Sequence, residues 1–522
     1  ELLKVIDAPK LSHKSGVYNE EFELTIDSHE GTKVYYTGDG SEPDENSMEY
    51  EKKIRIYDKS SEDNRWRSIQ NVVLNWKEYV VEEEPINKAF IIKAIAIDED
   101  GAKSSVVQAT YLFDQEKYNA KKIVSITANP EDLFGEFGIC VTGKYYDDWY
   151  LFGGDIVGGS IVGSSGERAL ANFEKRGRIS EIEATLEYID DSIADSQKVG
   201  MRIQGGSARY EAIKRFAIYA RKEYGGSKWF IFPWFDGMKT HAVNLRPGFS
   251  NAVMQQLVSD RDVAIQNSIP VEVFLNGEYW YSAYIQERYT KSFFAEKFGL
   301  QEDAICIVES GIAEDESLIS NGNEEIYAYI NSHDLSIDDN YREFCEIVDI
   351  DSYIDFLCIN MYLANMDWCE NKNYITWKSI PDGKWRWALY DLDSVDPLVI
   401  EQSQYYKGIE EWAQINPFIQ KGEFVDQSLK ETQMYAALRK NDEFCEKMIL
   451  RFCDLMNTNF SIPNVTFILE EWGEDITWND SFFVKRPEYM CRYIEEEFED
   501  KNINLNIKEG GTQVVVSFER TK

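Results

Sequence analysis

Two acidic segments in the second half of the chain hold residue types that could do chemistry: Asn365-Met-Asp-Trp-Cys-Glu-Asn-Lys-Asn373 and Tyr390-Asp-Leu-Asp393. Between them stand Tyr374-Ile-Thr-Trp-Lys378, a turn at Pro381-Asp-Gly383, and Lys384-Trp-Arg-Trp-Ala-Leu389. The pattern reads as loop, strand, tight turn, second strand, and then a pair of carboxylates at a strand end. Converging Asp and Asn oxygens suit a hard cation such as Mg²⁺, which keeps waters and takes its remaining ligands from phosphates. Asx-rich segments beside a hairpin also arise as ordinary turn chemistry, so this spacing leaves both readings open.

Protein kinases use the same order: a catalytic-loop Asp, an Asn a few residues on, a short hairpin, then a metal-binding Asp. In that order Asp367 would orient an acceptor hydroxyl or accept its proton. Asp391 would bind a metal bridging ATP phosphates, and Asp393 would be a second ligand or its support. Asx turns and strand-end solvation are the plain structural counterparts.

The elements that must position these residues lie upstream. Gly200-Met-Arg-Ile-Gln-Gly-Gly-Ser-Ala-Arg209 reads as a strand running into a glycine turn, and Arg215-Phe-Ala-Ile-Tyr-Ala-Arg221 as another strand. Arg202 and Arg209 could contact phosphates, aided by backbone N–H groups at Gly205 and Gly206; local ion pairs are the alternative. Lys214 could neutralise phosphate as a compact ammonium or stand as an exposed strand lysine. Ser250 can cap a helix over 251–267, which contains no Glu. Asp260 and Asp262 are its acids, and Asp262, on one face with Val258 and Ile265, is the one expected to point inward and hold the lysine. Pro270–Leu275 and Glu278–Ile285 around Asn276-Gly277 form a hairpin. The adenine would sit beyond it, around Ile285 to Arg288, with Glu287 either there or in a structural salt bridge.

Residues 349–364, 428–458 and 487–498 read as mostly helical, and the tail from Ile503 to Phe518 as a further hairpin. Residues 1–115 read as short strands split by turn signals, a small antiparallel β-sandwich, with an enlarged insertion from Asp58 to Glu84. The fold class is α+β, in three parts: the β module over 1–115, a main domain over 116–500, and the C-terminal hairpin over 501–522.

Composition bounds the function. The 522 residues exceed one comfortable core. A formal charge of −38 offers no basic excess to neutralise phosphates, so no nucleic-acid partner is expected. Eight cysteines form no CxxC pair and four histidines stand apart from any nucleophile signature, so neither a zinc site nor a Ser-His-Asp hydrolase is expected. No run approaches the roughly 18 apolar residues that span a bilayer. The start at Glu1 fits a mature form from which a signal peptide has been removed.

Tyr36-Thr-Gly-Asp-Gly-Ser-Glu-Pro43 and Ile92-Lys-Ala-Ile-Ala96 resemble the chitobiase/β-hexosaminidase C-terminal-like module, read here as a spacer. The region from about 125 to 498 resembles the CotH family of spore-coat protein kinase-like proteins. The segments that carry this are Asn172-Phe-Glu-Lys-Arg-Gly-Arg178, the Gly200–Arg209 run, Phe274-Leu-Asn-Gly-Glu-Tyr-Trp280 with Gln286-Glu-Arg288, Asn365-x-Asp-Trp368, and Trp385-Arg-Trp-Ala-Leu-Tyr-Asp-Leu-Asp393. The resemblance implies an atypical protein-kinase-like fold, ATP and a divalent metal (Mg²⁺, with Mn²⁺ or Ca²⁺ as alternatives). It also implies a protein substrate, in a bacterial secreted, spore or cell-surface setting. Two departures stand out. The family's Pro-Lys-Lys is Ala212-Ile-Lys214 here, and the catalytic loop is one residue longer, so either Asn371 or Asn373 could be the metal-binding asparagine, with Asn373 better preserving the spacing.

The leading expectation is an ATP- and metal-dependent protein kinase acting on hydroxyls of a partner protein. A catalytically degenerate structural or interaction module of a spore coat or cell-surface complex is the alternative. An enzyme transferring AMP would use the same residues.

Overall fold

The computed structural model describes residues 6–118, 121–153, 170–310, 323–368, 373–381, 383–395, 408–420, 428–473, 482–501, 503–507 and 513–518. The fold is mixed α+β. Two compact units divide the chain, one of Glu1–Pro247 with Ser268–Arg288, the other of Gly248–Asn267 with Tyr289–Lys522.

The centre of the first unit is a closed barrel. Its strands follow the order Ile123–Ala128, Ile182–Ile189, Ala194–Ile203, Phe216–Ala220, Ala242–Pro247, Glu278–Glu287 and Ser268–Leu275. Every neighbouring pair is antiparallel except the closing one, where Ile123–Ala128 runs parallel to Ser268–Leu275. Alternation along the strands sends Val124, Leu186, Met201, Ile218, Val243 and Ile285 into one core. The hairpin turn has Asn276 at φ 44° and Gly277 at φ 85°, the left-handed pair that a two-residue connection between twisted strands requires.

The N-terminal module packs a five-stranded sheet, in which Phe90–Asp98 pairs with Thr32–Thr37 and Val107–Phe113, against two short strand pairs. Its core includes Leu24, Val34, Ile56, Ile92 and Tyr111. The breaker-rich turn is built by Asp39, whose carboxylate accepts the Ser41 N–H and hydroxyl. A Cβ on Gly40, at φ +95°, would fall 2.6 Å from the Asn276 side chain, so only glycine lets this turn seat on the barrel hairpin.

The insertion over 58–84 is a strap on the barrel. Three successive N–H groups, from Arg65, Trp66 and Arg67, donate to the buried Glu278 carboxylate at 2.5, 3.0 and 3.0 Å. The Trp66 indole donates to Asn276 O at 3.1 Å, and Thr142 N–H to Asn71 O at 2.7 Å. Successive N–H groups make an anion-binding concavity, so one glutamate fixes the strap's path.

The second unit has its core on the helix Ile350–Tyr362, packed with helix Asp442–Asn457 and the long C-terminal helix Val484–Glu497. Arg486 is fully buried and donates to the carbonyls of Met361, Tyr362, Ala413 and Ile415 at 2.6 to 2.9 Å. A three-stranded sheet joins Ile305–Ser310, Tyr374–Ser379 and Arg386–Ala388. The strands Ile503–Ile507 and Val514–Phe518 pair as expected. The helix expected over 251–267 is Ser250–Leu257 only. Beyond it, Ala264 forms a parallel bridge to Ala388, with Ala264 N–H donating to Trp387 O at 3.0 Å and Leu389 N–H to Ala264 O at 2.9 Å. Long-range pairing with the hairpin strand overrides helical periodicity there. Among the described residues no helix is long and apolar enough to cross a membrane.

A buried carboxyl gives the first unit a distinct pH response. Glu187 is 2 % exposed, accepts the Ser15 hydroxyl, and burial pushes its pKa up to about 7. Because the folded value lies above the unfolded one, this group favours folding at low pH, and its contribution is lost as pH rises through 7. Glu187→Gln is expected to gain up to about 3 kcal/mol relative to wild type between pH 5 and pH 8. Urea unfolding across that range checks this; a pH-independent difference would show that the carboxyl does not titrate there.

Candidate functional site

The two acidic segments meet in the second unit around one amide. Asn365 is 3 % exposed, and its Oδ1 accepts the Asp367 N–H at 3.1 Å and the Ser394 hydroxyl at 2.6 Å. Its Nδ2 donates to Asn360 Oδ1 at 2.8 Å, and Asn360 Nδ2 donates to Phe356 O one helical turn earlier, also at 2.8 Å. Asn373 Nδ2 donates to the Asp367 carbonyl at 2.8 Å and to its carboxylate at 3.2 Å. The Asn373 Oδ1, the atom a cation would use, takes no part in either bond.

The hairpin strands deliver the second segment. Register pairs Ile375 with Ala388 and Thr376 with Trp387, Trp387 N–H donates to Ser352 Oγ at 3.0 Å, and Tyr289 Oη lies 2.7 Å from Leu389 O. Leu392 is buried between the half-buried Asp391 and Asp393, and its N–H donates to Asn251 Oδ1 at 2.9 Å. Ala364, Asn373 and Asp391 adopt left-handed φ of 53°, 50° and 56°. Asn and Asp enter this region more readily than other side chains, whereas an alanine there, Ala364, is uncommon.

No group of three or more His, Cys, Asp and Glu able to hold a metal stands among the described residues. The donor set still fits a hard cation of the Mg²⁺ kind, which binds through one or two carboxylates and completes its shell with water and phosphate oxygens. Asp391 and Asp393 would supply the carboxylates, from either side of the pinned Leu392 backbone, and Asn373 an amide oxygen. Asn371 lies outside the described residues.

The CotH kinase protein family matches residues 202–500, more than half of the sequence. The chain belongs to the CotH kinase family. The Fn3 associated family matches residues 23–111, within the N-terminal β module. Among solved structures, the Helicobacter pylori proinflammatory kinase CtkA is similar, with 12% identity and a TM-score of 0.28 over 58% of this chain and 93% of that one. No curated protein matches the chain.

The cations read as candidates for phosphate meet other partners. Lys214 is fully buried; its ammonium donates to the carbonyls of Val72, Arg209 and Glu211 at 2.7, 2.6 and 2.8 Å, and lies 3.7 Å from the Phe173 ring centre. Burial pushes its pKa down to about 7, while three carbonyls and an aromatic face hold the proton. All three ammonium donors are thereby used. This is a correction: Lys214 locks the strap and the glycine turn to the barrel and has no donor left for a phosphate.

Arg209 is corrected in the same way. It spends its guanidinium on the carbonyls of Gly205, Phe173, Lys175 and Ile203 at 2.6 to 3.1 Å. Gly205, at φ +97°, makes the turn that this arginine pins, and Gly206 follows at φ −88°. Arg202 donates to Glu181 at 2.9 Å and lies 4.5 Å from the Tyr219 ring centre. Glu181 is a fully buried carboxylate; burial pushes its pKa up, but Arg221, Arg202 and Arg178 together hold it below the usual range. Glu287 is buried at the end of its strand, opposite Val243.

Asp262 also departs from expectation. It lies past the helix and ion-pairs with Arg386, while its N–H donates to Asp355 at 2.8 Å. Burial raises its pKa and Arg386 opposes that. The strand that leads directly into helix Ser250–Leu257 is Ala242–Pro247, and its cation is Arg246, not Lys214. Inside that helix the buried polar residues are Asn251 and Gln255. Sequence reading missed them because an Asn just after Ser250 looks like capping; the signal was a run of amides, Asn251, Gln255 and Gln266, in place of acids.

Lys214→Met is expected to destabilise the protein by about 3 kcal/mol, because three buried carbonyls lose their donor, and to leave nucleotide affinity of the folded protein unchanged. Denaturant unfolding beside a Mg·ATP titration reads both. A variant that unfolds like wild type yet loses nucleotide would return Lys214 to the phosphates.

Proposed function

We propose that this kinase-like protein of the CotH family transfers the γ-phosphate of ATP, with a divalent metal, to hydroxyls of a partner protein. The observation that supports this is the meeting of the two acidic segments at Asn365 Oδ1, which brings Asp367, Asn373 and Asp391-Leu392-Asp393 into one site. When bound, the metal–ATP complex supplies the activated phosphoryl group and neutralises its charge. Asp367, held by its own N–H and by Asn373, orients the acceptor hydroxyl and accepts its proton. Asp391 and Asp393 bind the metal, and Asn373 adds its amide oxygen. Catalysis rests on positioning and charge neutralisation, without a covalent intermediate. The family's spore association favours a secreted, spore or cell-surface partner.

Asp391→Ala is expected to abolish metal-dependent ATP binding, read by calorimetric titration. Asp367→Ala is expected to keep that binding and to lower phosphate transfer by about 10²–10⁴-fold, the usual contribution of a positioned base. Mass spectrometry of the acceptor distinguishes a phosphate from an AMP adduct. Undiminished transfer by both variants would overturn the assignment, and absence of any Mg·ATP binding by the wild type would favour a structural module.

A further inference from the structure

The contact between Asn251 and Leu392 links a helix to the backbone between two aspartates, and no role yet given to the site requires it. Asn251 is 1 % exposed on helix Ser250–Leu257, and its Oδ1 accepts the Leu392 N–H at 2.9 Å. The same oxygen accepts Gln255 Nε2 at 3.1 Å from the next helical turn. Gln255, fully buried, accepts the Gln266 N–H at 2.8 Å through its Oε1, which ties the helix to the segment bridged to Ala388. The amide relay therefore starts on the strand edge beside Ala388, passes through the helix, and ends on the peptide between Asp391 and Asp393.

We infer that Asn251 is a positioning residue for the metal-binding aspartates. A carboxylate two bonds from its backbone cannot hold a ligand direction unless that backbone is fixed. Asp391 sits at φ 56°, a turn conformation whose direction the neighbouring Leu392 N–H bond to Asn251 fixes. Ser394 is held from the other side by Asn365 Oδ1, so Leu392 and Ser394 are the two pinned points of a three-residue arch. A neutral amide suits this position. A second acid would add charge beside the aspartates, and a lysine would pair with them. The inference rests on the metal–nucleotide reading above and adds to it the helix that sets the ligands' directions.

The test compares two substitutions of nearly equal size. Asn251→Asp keeps an acceptor oxygen for Leu392, and Asn251→Leu removes it; Asn251→Ala serves if the leucine variant fails to fold. Two readouts are taken: affinity for Mn²⁺ with a non-hydrolysable ATP analogue, and hydrogen exchange of the Leu392 amide. Groups that orient metal ligands typically contribute about 10–100-fold in metal affinity, so Asn251→Leu is expected to lose that much, with fast Leu392 exchange, while Asn251→Asp keeps wild-type protection of Leu392 whatever its added charge does to cation affinity. A merely structural asparagine would lower thermal stability without this pattern. Wild-type affinity and protection in Asn251→Leu, or an Asn251→Asp variant whose Leu392 amide exchanges as fast as in the leucine variant, would overturn the inference. If wild type and Asp391→Ala alike bind no metal–nucleotide, the kinase reading falls. Leu392 exchange then decides the clip: lost in the leucine variant and kept in the aspartate variant upholds it, and unchanged protection overturns it.

Discussion

One acceptor atom sets the geometry of the acidic site. Asn365 Oδ1 receives the Asp367 N–H and the Ser394 hydroxyl, so the Asp367 segment and the Asp391-Leu392-Asp393 segment cannot drift apart without leaving a buried amide unsatisfied. Such a loss costs about 1–3 kcal/mol for each group. The amide itself is held through Asn360 to the helix Ile350–Tyr362, which is the centre of the second unit's core. Apolar packing of that helix thus reaches the aspartates through two hydrogen-bonded side chains. Asp391 and Asp393 remain half-buried, so they keep access to water while the backbone between them is pinned.

The first unit solves a different problem, that of burying cations in a strongly acidic chain. Lys214 and Arg209 are satisfied by backbone carbonyls and an aromatic face, and Glu181 gathers Arg178, Arg202 and Arg221. Carbonyl oxygens carry no formal charge, so each such cation is held by dipoles at short range. The effect is structural: the glycine turn after Ile203 and the strap over 58–84 are drawn onto the barrel by groups that a family motif would have turned toward phosphate. Glu278, with three N–H donors from the strap, secures the same junction with the opposite charge.

Several elements were legible in the sequence. The Asn276-Gly277 hairpin was, because only residues tolerant of positive φ fit a two-residue turn, and the helix Ile350–Tyr362 was, from its length and apolar content. The order of Asp367, an Asn-rich loop, a hairpin and Asp391 was also plain, with Asn371 and Asn373 both open as the asparagine. The helix from Ser250 was overextended to Asn267, because Val253, Leu257, Ala264 and Ile265 keep a helical period while Ala264 in fact pairs with Ala388. Asp262 was read as inward on that same period and instead meets Arg386 on a bend. The barrel's closure by parallel pairing of Ile123–Ala128 with Ser268–Leu275 was beyond local pattern, since it joins segments separated by most of the unit.

By itself the sequence determined the residue types at the site, their order, the acidic balance and the family. Those are properties of single residues and short spacings. Tertiary structure alone decided which donors and acceptors are already used. Lys214 and Arg209 have theirs filled by carbonyls, and Asn251 and Asn365 turn theirs on the acidic loop. Hydrogen-bond saturation depends on partners brought from distant parts of the chain, such as Val72 for Lys214 and Leu392 for Asn251, and no spacing rule carries that information.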